Sequence, residues 1–590
     1  MERKLINPKL WIKNIRKIIS TALERFPLTI SFLVALAVLL IYDVTMSYDY
    51  LREYRDVLDR LYATLTIGIT FSMAAKVLLE RLNKGEKEGF FAGIFVVAFS
   101  IIYFFFLIPE INIITMIRVF FTNAIFLLSF LFIPYLTDRK NFEIYIADLM
   151  AKAAVAVFFM VVLGAGVSAL IFSIEALLIE NLSEDFYVYT WIITVFVFAP
   201  TYFFYSMPKY GDELTKNDFA KPIKVALIYL VLPLLTAYTV VLYLYFARIL
   251  ITWDWPSGIV SYLVSSYAAI GLVSIFLVWP FKNENKWVDS FIKVYTKVIY
   301  PLLAMMFIAI YLRINQYGFT ENRYFIVAIG SWATFAITFI NIDKGKRNTI
   351  LVASLALTLL IAAYGPLSAT SVAIRSQNNR FESILERNNM IENGEVLPNS
   401  DISDKDKREI VNIINYFQYD YGTEYLKYVP ENYDTKMTEQ IFGFPHYGWD
   451  IQKPVNTYFS FNGRLDSFIL TDYELMIPIM HYRYGDPFIS EEILYEDNIY
   501  FIQSMENKIS LYQNEEILIG LDLIPQAESL IEKYGMNKYD LTSEDLSFEV
   551  SNELVSIKII YKNLSGSFGE QGENIIEINA EGYILVDIVN

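Results

Sequence analysis

The chain has no cysteine among its 590 residues. Disulfides, thiolate-bound zinc, iron–sulfur clusters and thiol catalysis are therefore excluded. Histidine is scarce, with only His446 and His481. A zinc site would need carboxylates to complete its ligand set, so two surface histidines and no metal are expected. No Walker A, G-x-S-x-G or H-E-x-x-H motif occurs, which leaves phosphoryl-transfer and hydrolytic chemistry without a motif. Asp401, Asp404 and Asp406 have neither the spacing nor the glycine of a calcium loop. The sequence thus predicts no catalytic residue and no cofactor. The last 225 or so residues also lack any apolar run long enough to cross a bilayer.

The rest of the chain has about eleven such runs. They lie near 27–46, 61–79, 90–108, 113–133, 151–174, 187–207, 225–247, 259–281, 298–312, 324–341 and 349–364, the ninth and eleventh being short. About 20 apolar residues cross the hydrocarbon core. The first run has no small-residue cleavage pattern and reads as an uncleaved signal anchor. The fold class is therefore a polytopic α-helical membrane bundle of about eleven spans, followed by a water-soluble domain.

Loop charge gives the bundle a direction. Lys and Arg collect on the cytoplasmic side. The N-terminal segment and the loops after even-numbered spans hold 23 of them, against 6 in the loops after odd-numbered spans. This predicts a cytoplasmic N-terminus and an extracytoplasmic C-terminal domain, so cysteines placed at Ser20 and Ser556 should label from opposite faces. Residues 1–26 read as a basic cytoplasmic leader. Within it Trp11, Ile15, Ile18, Ile19, Ala22 and Phe26 share one face of a helix, the pattern of a helix lying in the membrane plane.

From residue 365 onward there are 16 Lys and Arg against 38 Asp and Glu. So acidic a domain argues against nucleic acid as a partner. Residues 365–408 read as an exit helix and linker, and 409–590 as an α+β domain rich in antiparallel strands. Asp404 to Phe417 has a helical stripe. Tyr458 to Leu470 reads as a hairpin turning at Asn462-Gly463. Further strands are expected near 499–503, 508–513, 517–522, 547–551, 554–562, 574–579 and 582–589, with a short helix at 525–534.

Two stretches carry a resemblance. YLRINQYGFTENRY at 311–324 precedes a span, and YGPLSATSVAIRSQNNR at 364–380 leaves the last one. With the order of spans around them, they resemble the domain-of-unknown-function 4153 family of bacterial membrane proteins. The resemblance implies a multi-pass envelope protein of the cytoplasmic (inner) membrane and implies no activity. It does not extend to the strand-rich tail.

Ionisable residues in or beside spans are costly and point to sites. The alternation gathers several at the outer face: Asp43, Arg248, Asp254, Arg313, Tyr317, Glu321, Asn322 and Arg323. They could form a polar floor that binds a lipid headgroup, glycan or peptide. Against this, Trp253, Trp255 and Tyr324 could be ordinary interfacial aromatics with snorkelling arginines beside them. Arg118, inside a span, is expected to bond to backbone carbonyls. Gly89 and Gly93, and Gly164 and Gly166, read as small residues that let helices pack closely. The functional reading is a sensing or interaction protein with an acidic outer domain. The alternatives are a transporter or lipid-handling protein and a membrane-embedded enzyme. Its expected partners are the bilayer and an envelope protein, glycan or lipid headgroup.

Overall fold

The computed structural model describes residues 8–46, 48–136, 140–178, 182–253, 259–430, 432–446, 458–463, 473–481, 488–505, 507–514, 516–568 and 575–588. It divides into two compact units, 1–446 and 447–590.

The first unit is a helical bundle with a small cap. Its helices are α1 (Pro8–Arg25), α2 (Pro27–Thr45), α3 (Tyr48–Arg81), α4 (Glu86–Leu107), α5 (Ile113–Tyr135), α6 (Phe142–Leu177), α7 (Asp185–Ser206), α8 (Lys221–Thr252), α9 (Val260–Phe281), α10 (Lys286–Tyr317), α11 (Glu321–Asp343) and α12 (Thr349–Ala363). Among the described residues, ten are long and apolar enough to cross a membrane. α12, with 15 residues, is the shorter eleventh. The run near 298–312, short in the sequence, is the middle of the 32-residue α10.

Proline shapes the spans. Residues 103–107, 194–198 and 227–231 form single π turns. Each ends two residues before a proline, Pro109, Pro200 or Pro233. Proline has no N–H and its ring crowds the preceding turn, so the helix widens there.

The core lies around α9. Its central stretch is 67% buried, against 11% for those of α6 and α7. Tyr267, Ile275, Tyr295, Leu302, Met306 and Ile337 fill the space between α9, α10 and α11, each at most 1% exposed. α6 and α7 instead expose Phe158, Val162, Phe172 and Ile193, as spans facing lipid do.

Polar ties join the loops at each end of the bundle. At one end Arg25 grips Glu80 through two bonds of 2.9 Å and donates to the carbonyls of Met207 and Pro208. Asn141 donates to Leu214 O, Lys216 pairs with Glu284, and Asn348 bonds to Glu143. These are the lysine-rich loops. The other end holds Asp43, the Thr45–Tyr189 bond and the α10–α11 turn.

The glycine pairs behave differently from one another. A Cβ on Gly164 would stand 3.0 Å from the Trp191 ring, so this helix crossing is close as expected. A Cβ on Gly89 would meet nothing within 4 Å, and one on Gly93 only Leu28 at 3.8 Å. Gly89 and Gly93 therefore border open space and do not form a tight crossing.

Beyond the bundle, α13 (Ala369–Arg387) and α14 (Asp404–Asp420) pack together. Ser403 caps α14. Asp406 accepts hydrogen bonds from Arg387 and Asn388. His446 is 5% exposed and bonds to Asn415 and Thr438. His481 is 3% exposed. Both histidines are thus buried, because each lies where an apolar helix stripe or strand face is covered. Among the described residues no cluster of His, Asp or Glu could hold a metal.

The second unit is mostly antiparallel sheet. Its strands are β1 (Tyr458–Gly463), β2 (Leu475–His481), β3 (Phe488–Ile489), β4 (Ile493–Tyr495), β5 (Asn498–Met505), β6 (Lys508–Gln513), β7 (Glu516–Asp522), β8 (Asn537–Leu541), β9 (Ser547–Ser551), β10 (Val555–Phe568) and β11 (Ile575–Ile588). One sheet runs β8-β1-β10-β11-β2, with β9 also on β10, and the other runs β3-β5-β6-β7, with β4 on β5. Among the described strands only the β8–β1 pair is parallel. The helix α15 (Ile524–Tyr534) stops at Gly535, φ +79°. Asn462 and Gly463 are not a turn: they extend β1, opposite Asn563 and Leu541. The second arm of that expected hairpin, 464–470, lies outside the described residues. β2 escapes sequence reading because Pro478 interrupts its pattern; as an edge strand it tolerates the missing donor.

Candidate functional site

The site is built on the turn between α10 and α11. α10 ends at Gly318, whose φ of +71° with ψ near 180° is a region open essentially to glycine alone. A Cβ there would also come 3.0 Å from Gln377 Nε2 and 3.1 Å from Ser376 Oγ. The turn leaves carbonyls at a helix C-terminus without partners. Arg323, in the first turn of α11, folds back and donates to Tyr317 O at 3.1 Å and Gly318 O at 2.7 Å. Gln377 of α13 donates to Tyr317 O at 3.0 Å and Phe319 O at 2.8 Å. The Phe319 N–H donates to Ser376 Oγ at 2.8 Å. Tyr324 donates to Leu367 O at 2.6 Å. It is thus a clamp on the exit turn and not a free interfacial aromatic. The two stretches at 311–324 and 364–380 are therefore the two halves of one hydrogen-bonded assembly.

Three guanidinium groups surround the Tyr317 ring. Arg323 lies 5.5 Å from its centroid, Arg313 5.8 Å and Arg380 5.9 Å. Cations at such distances are attracted to the ring face. Their carboxylate partners are few. Arg380 pairs with Glu409 of α14 at 3.2 Å. Arg323 bonds to carbonyls, and Arg313 forms no ion pair among the described residues. Glu321 does not neutralise them; it accepts the Tyr416 hydroxyl on both oxygens at 2.9 Å. Burial, then the Glu321 carboxylate, push the Tyr416 phenol up, so it remains a donor. Glu321 also suits the N-terminus of α11, where the helix dipole favours negative charge.

The eight residues expected at this site separate. Arg313, Tyr317, Glu321 and Arg323 come together, and Asn322 is adjacent but exposed. Arg248 is exposed on α8. Asp254, with Trp255, lies outside the described residues. Asp43 belongs to a different network, accepting from Tyr62 at 2.8 Å and from Arg55 at 3.2 Å. Its helix ends beside α3 and not beside α10, so a shared membrane face did not become contact. Among the described residues Arg118 makes none of its expected carbonyl bonds, and its Nε is buried without a partner. Ser376, Gln377, Arg380, Glu409 and Tyr416 were missed. α11 and α12 form a hairpin that returns the chain to its starting level, and that return was the available signal.

α13 and α14 hold the site's second wall. Burial alone would raise the Asp406 carboxyl, but its hydrogen bonds from Arg387 and Asn388 outweigh that and hold it below the usual range. A carboxyl held low in the fold stabilises it above the unfolded value, near pH 4, and that contribution fades as pH falls through the folded value. The detergent-solubilised protein should therefore lose thermal stability below about pH 4, and Asp406→Asn should flatten that loss. Parallel acid profiles for the two proteins would contradict this.

These features define a multi-pass membrane protein with a clamped arginine cluster at one end of its helical bundle. The model of the family described as "Domain of unknown function (DUF4153)" matches residues 30–393, and the chain belongs to that family. The matched segment contains both halves of the clamp and ends before α14. An uncharacterized protein of Pasteurella multocida is 26% identical over 199 residues, which make up 33% of each chain. The chain thus spans about a third of that curated relative's length. No solved structure matches it.

Proposed function

We propose that this is a sensing or interaction protein of the bacterial cytoplasmic membrane. In this reading its N-terminus is cytoplasmic, and the arginine cluster and acidic C-terminal domain face outward. The cluster recognises an anionic group on an envelope component. One observation carries the proposal: three guanidiniums converge on Tyr317, and only Arg380 has a carboxylate partner among the described residues. A phosphate or carboxylate fits such a gathering, because charge-assisted bonds to guanidinium are short, strong and planar.

The orientation reading is supported by the ties that collect the lysine-rich loops at one end. It also needs α12 to count as a crossing. Fifteen helical residues reach about 22 Å, less than the roughly 30 Å hydrocarbon core. The segments around α12 make up the difference. Arg347 pairs with Asp343 before it, and Leu367 meets Tyr324 after it, so α12 with its flanks runs the length of α11.

Glycerol phosphate, titrated calorimetrically into the purified protein, tests the cluster. Arg313→Ala should weaken binding by about tenfold, the equivalent of about 1.4 kcal/mol, with unchanged expression, since its head group holds no turn carbonyl and loses only its contact with the Tyr317 ring among the described residues. Arg323→Ala should lower expression as well, because the Gly318 carbonyl loses its donor and the Tyr317 carbonyl keeps only Gln377. Equal binding by wild type and Arg313→Ala would sink the site. The alternative of lipid handling has its own observation, an open groove elsewhere in the bundle.

A further inference from the structure

Near the lysine-rich end, a cavity of about 520 Å³ opens between α2, α3 and α4. This volume falls within the roughly 300–1,000 Å³ of small-molecule sites. Its floor is apolar and includes Phe26, Leu28, Ala92 and Val96, with Gly89 and Gly93 leaving the space that side chains would fill. The floor continues onto the outer surface of α4, where Phe90, Ile94 and Phe95 are more than half exposed.

The rim is charged, and it lies where α1 ends and α4 begins, at the termini of spans. Arg25 and Glu80 cancel one another through their paired bonds. Two cations then remain, Lys76 and Lys84, and two anions, Glu24 and Glu86. Lys84, Glu24 and Glu86 form no ion pair among the described residues, and Lys76 reaches Glu80 only at 3.9 Å. A rim of balanced charge, most of it unpaired among the described residues, above an apolar slot matches a headgroup that is itself both cationic and anionic.

We propose that this groove holds one phospholipid with a zwitterionic ethanolamine headgroup. Its phosphate lies at Lys76 and Lys84, and its ammonium donates hydrogen bonds to Glu24 and Glu86. One acyl chain runs along the Gly89–Gly93 face. A purely anionic headgroup would find the same lysines but would be opposed by the two glutamates. The site stands apart from the Tyr317 cluster and does not depend on it.

The test is native mass spectrometry of the full-length protein incubated with equimolar phosphatidylethanolamine and phosphatidylglycerol. Wild type should retain one phosphatidylethanolamine per chain in preference to phosphatidylglycerol. Gly93→Leu places its side chain in the open groove and should lose that lipid while keeping the wild-type melting temperature. Lys84→Glu leaves the groove open and should retain the lipid about fivefold less, from the loss of one favourable headgroup contact; it decides the matter should Gly93→Leu fail to fold. Preference for phosphatidylglycerol, or unchanged retention by a folded Gly93→Leu or by Lys84→Glu, would overturn the proposal.

Discussion

A cysteine replacing Tyr419 will react with a membrane-impermeant maleimide on intact spheroplasts, and one replacing Ser20 will react only after lysis. The chain has no other cysteine, so each variant reports one site. Tyr419 is 81% exposed on α14, which keeps a negative result from being a matter of access. The outcome is all or none because it depends on parity. Ten crossings would put Tyr419 on the same side as Ser20, and eleven put it opposite. The deciding element is α12, whose 15 residues are uncharged and mostly apolar but short. The Tyr324–Leu367 bond ties its exit to the start of α11, which is why opposite labelling is expected. Labelling of both cysteines from the same face would remove the extracytoplasmic domain, and with it the proposed outward site.

The largest loss of stability is expected from a single methyl group, in Gly271→Ala. A Cβ there would lie 1.9 Å from Tyr295 Oη and 2.2 Å from its Cζ. The Tyr295 ring cannot swing aside: it is 1% exposed, packed between Phe291 and Tyr267, and its hydroxyl donates to Tyr267 O at 3.0 Å. Overpacking and a lost buried hydrogen bond together should cost about 3 kcal/mol, seen as a lower melting temperature in detergent. Gly89→Ala is the control. It too lies within a span, but its Cβ meets nothing within 4 Å. Alanine's better helix propensity should leave stability equal or higher by up to about 1 kcal/mol. Similar melting temperatures for the two variants would show that α9 and α10 pack less closely than described.

The contrast between these glycines marks where sequence reading ends. Gly89 and Gly93 looked like a close-packing motif, yet they border a cavity, while Gly271 drew no notice and is the tight crossing. Spacing says which residues share a helix face. It does not say what faces them. The same limit explains the histidines, which count as surface residues by frequency and are buried by their neighbours. It also explains Asn462-Gly463, whose strong local turn preference yields to pairing with Asn563 and Leu541.

The two stretches that mark the family were legible as residue motifs, while hydropathy and loop charge alone determined the apolar spans and the difference between a basic bundle and an acidic tail. These are additive quantities, summed along the chain, and bilayer thickness sets their length scale. Only the tertiary structure decided that Arg313, Arg323 and Arg380 share the Tyr317 ring while Asp43 does not. It also decided that Gln377 and Ser376 hold the turn at Gly318. The contacts of Arg380, Gln377 and Ser376 join residues about sixty positions apart. They exist because α11 and α12 fold back as a hairpin, and contact after such a return depends on helix packing, which no local pattern encodes.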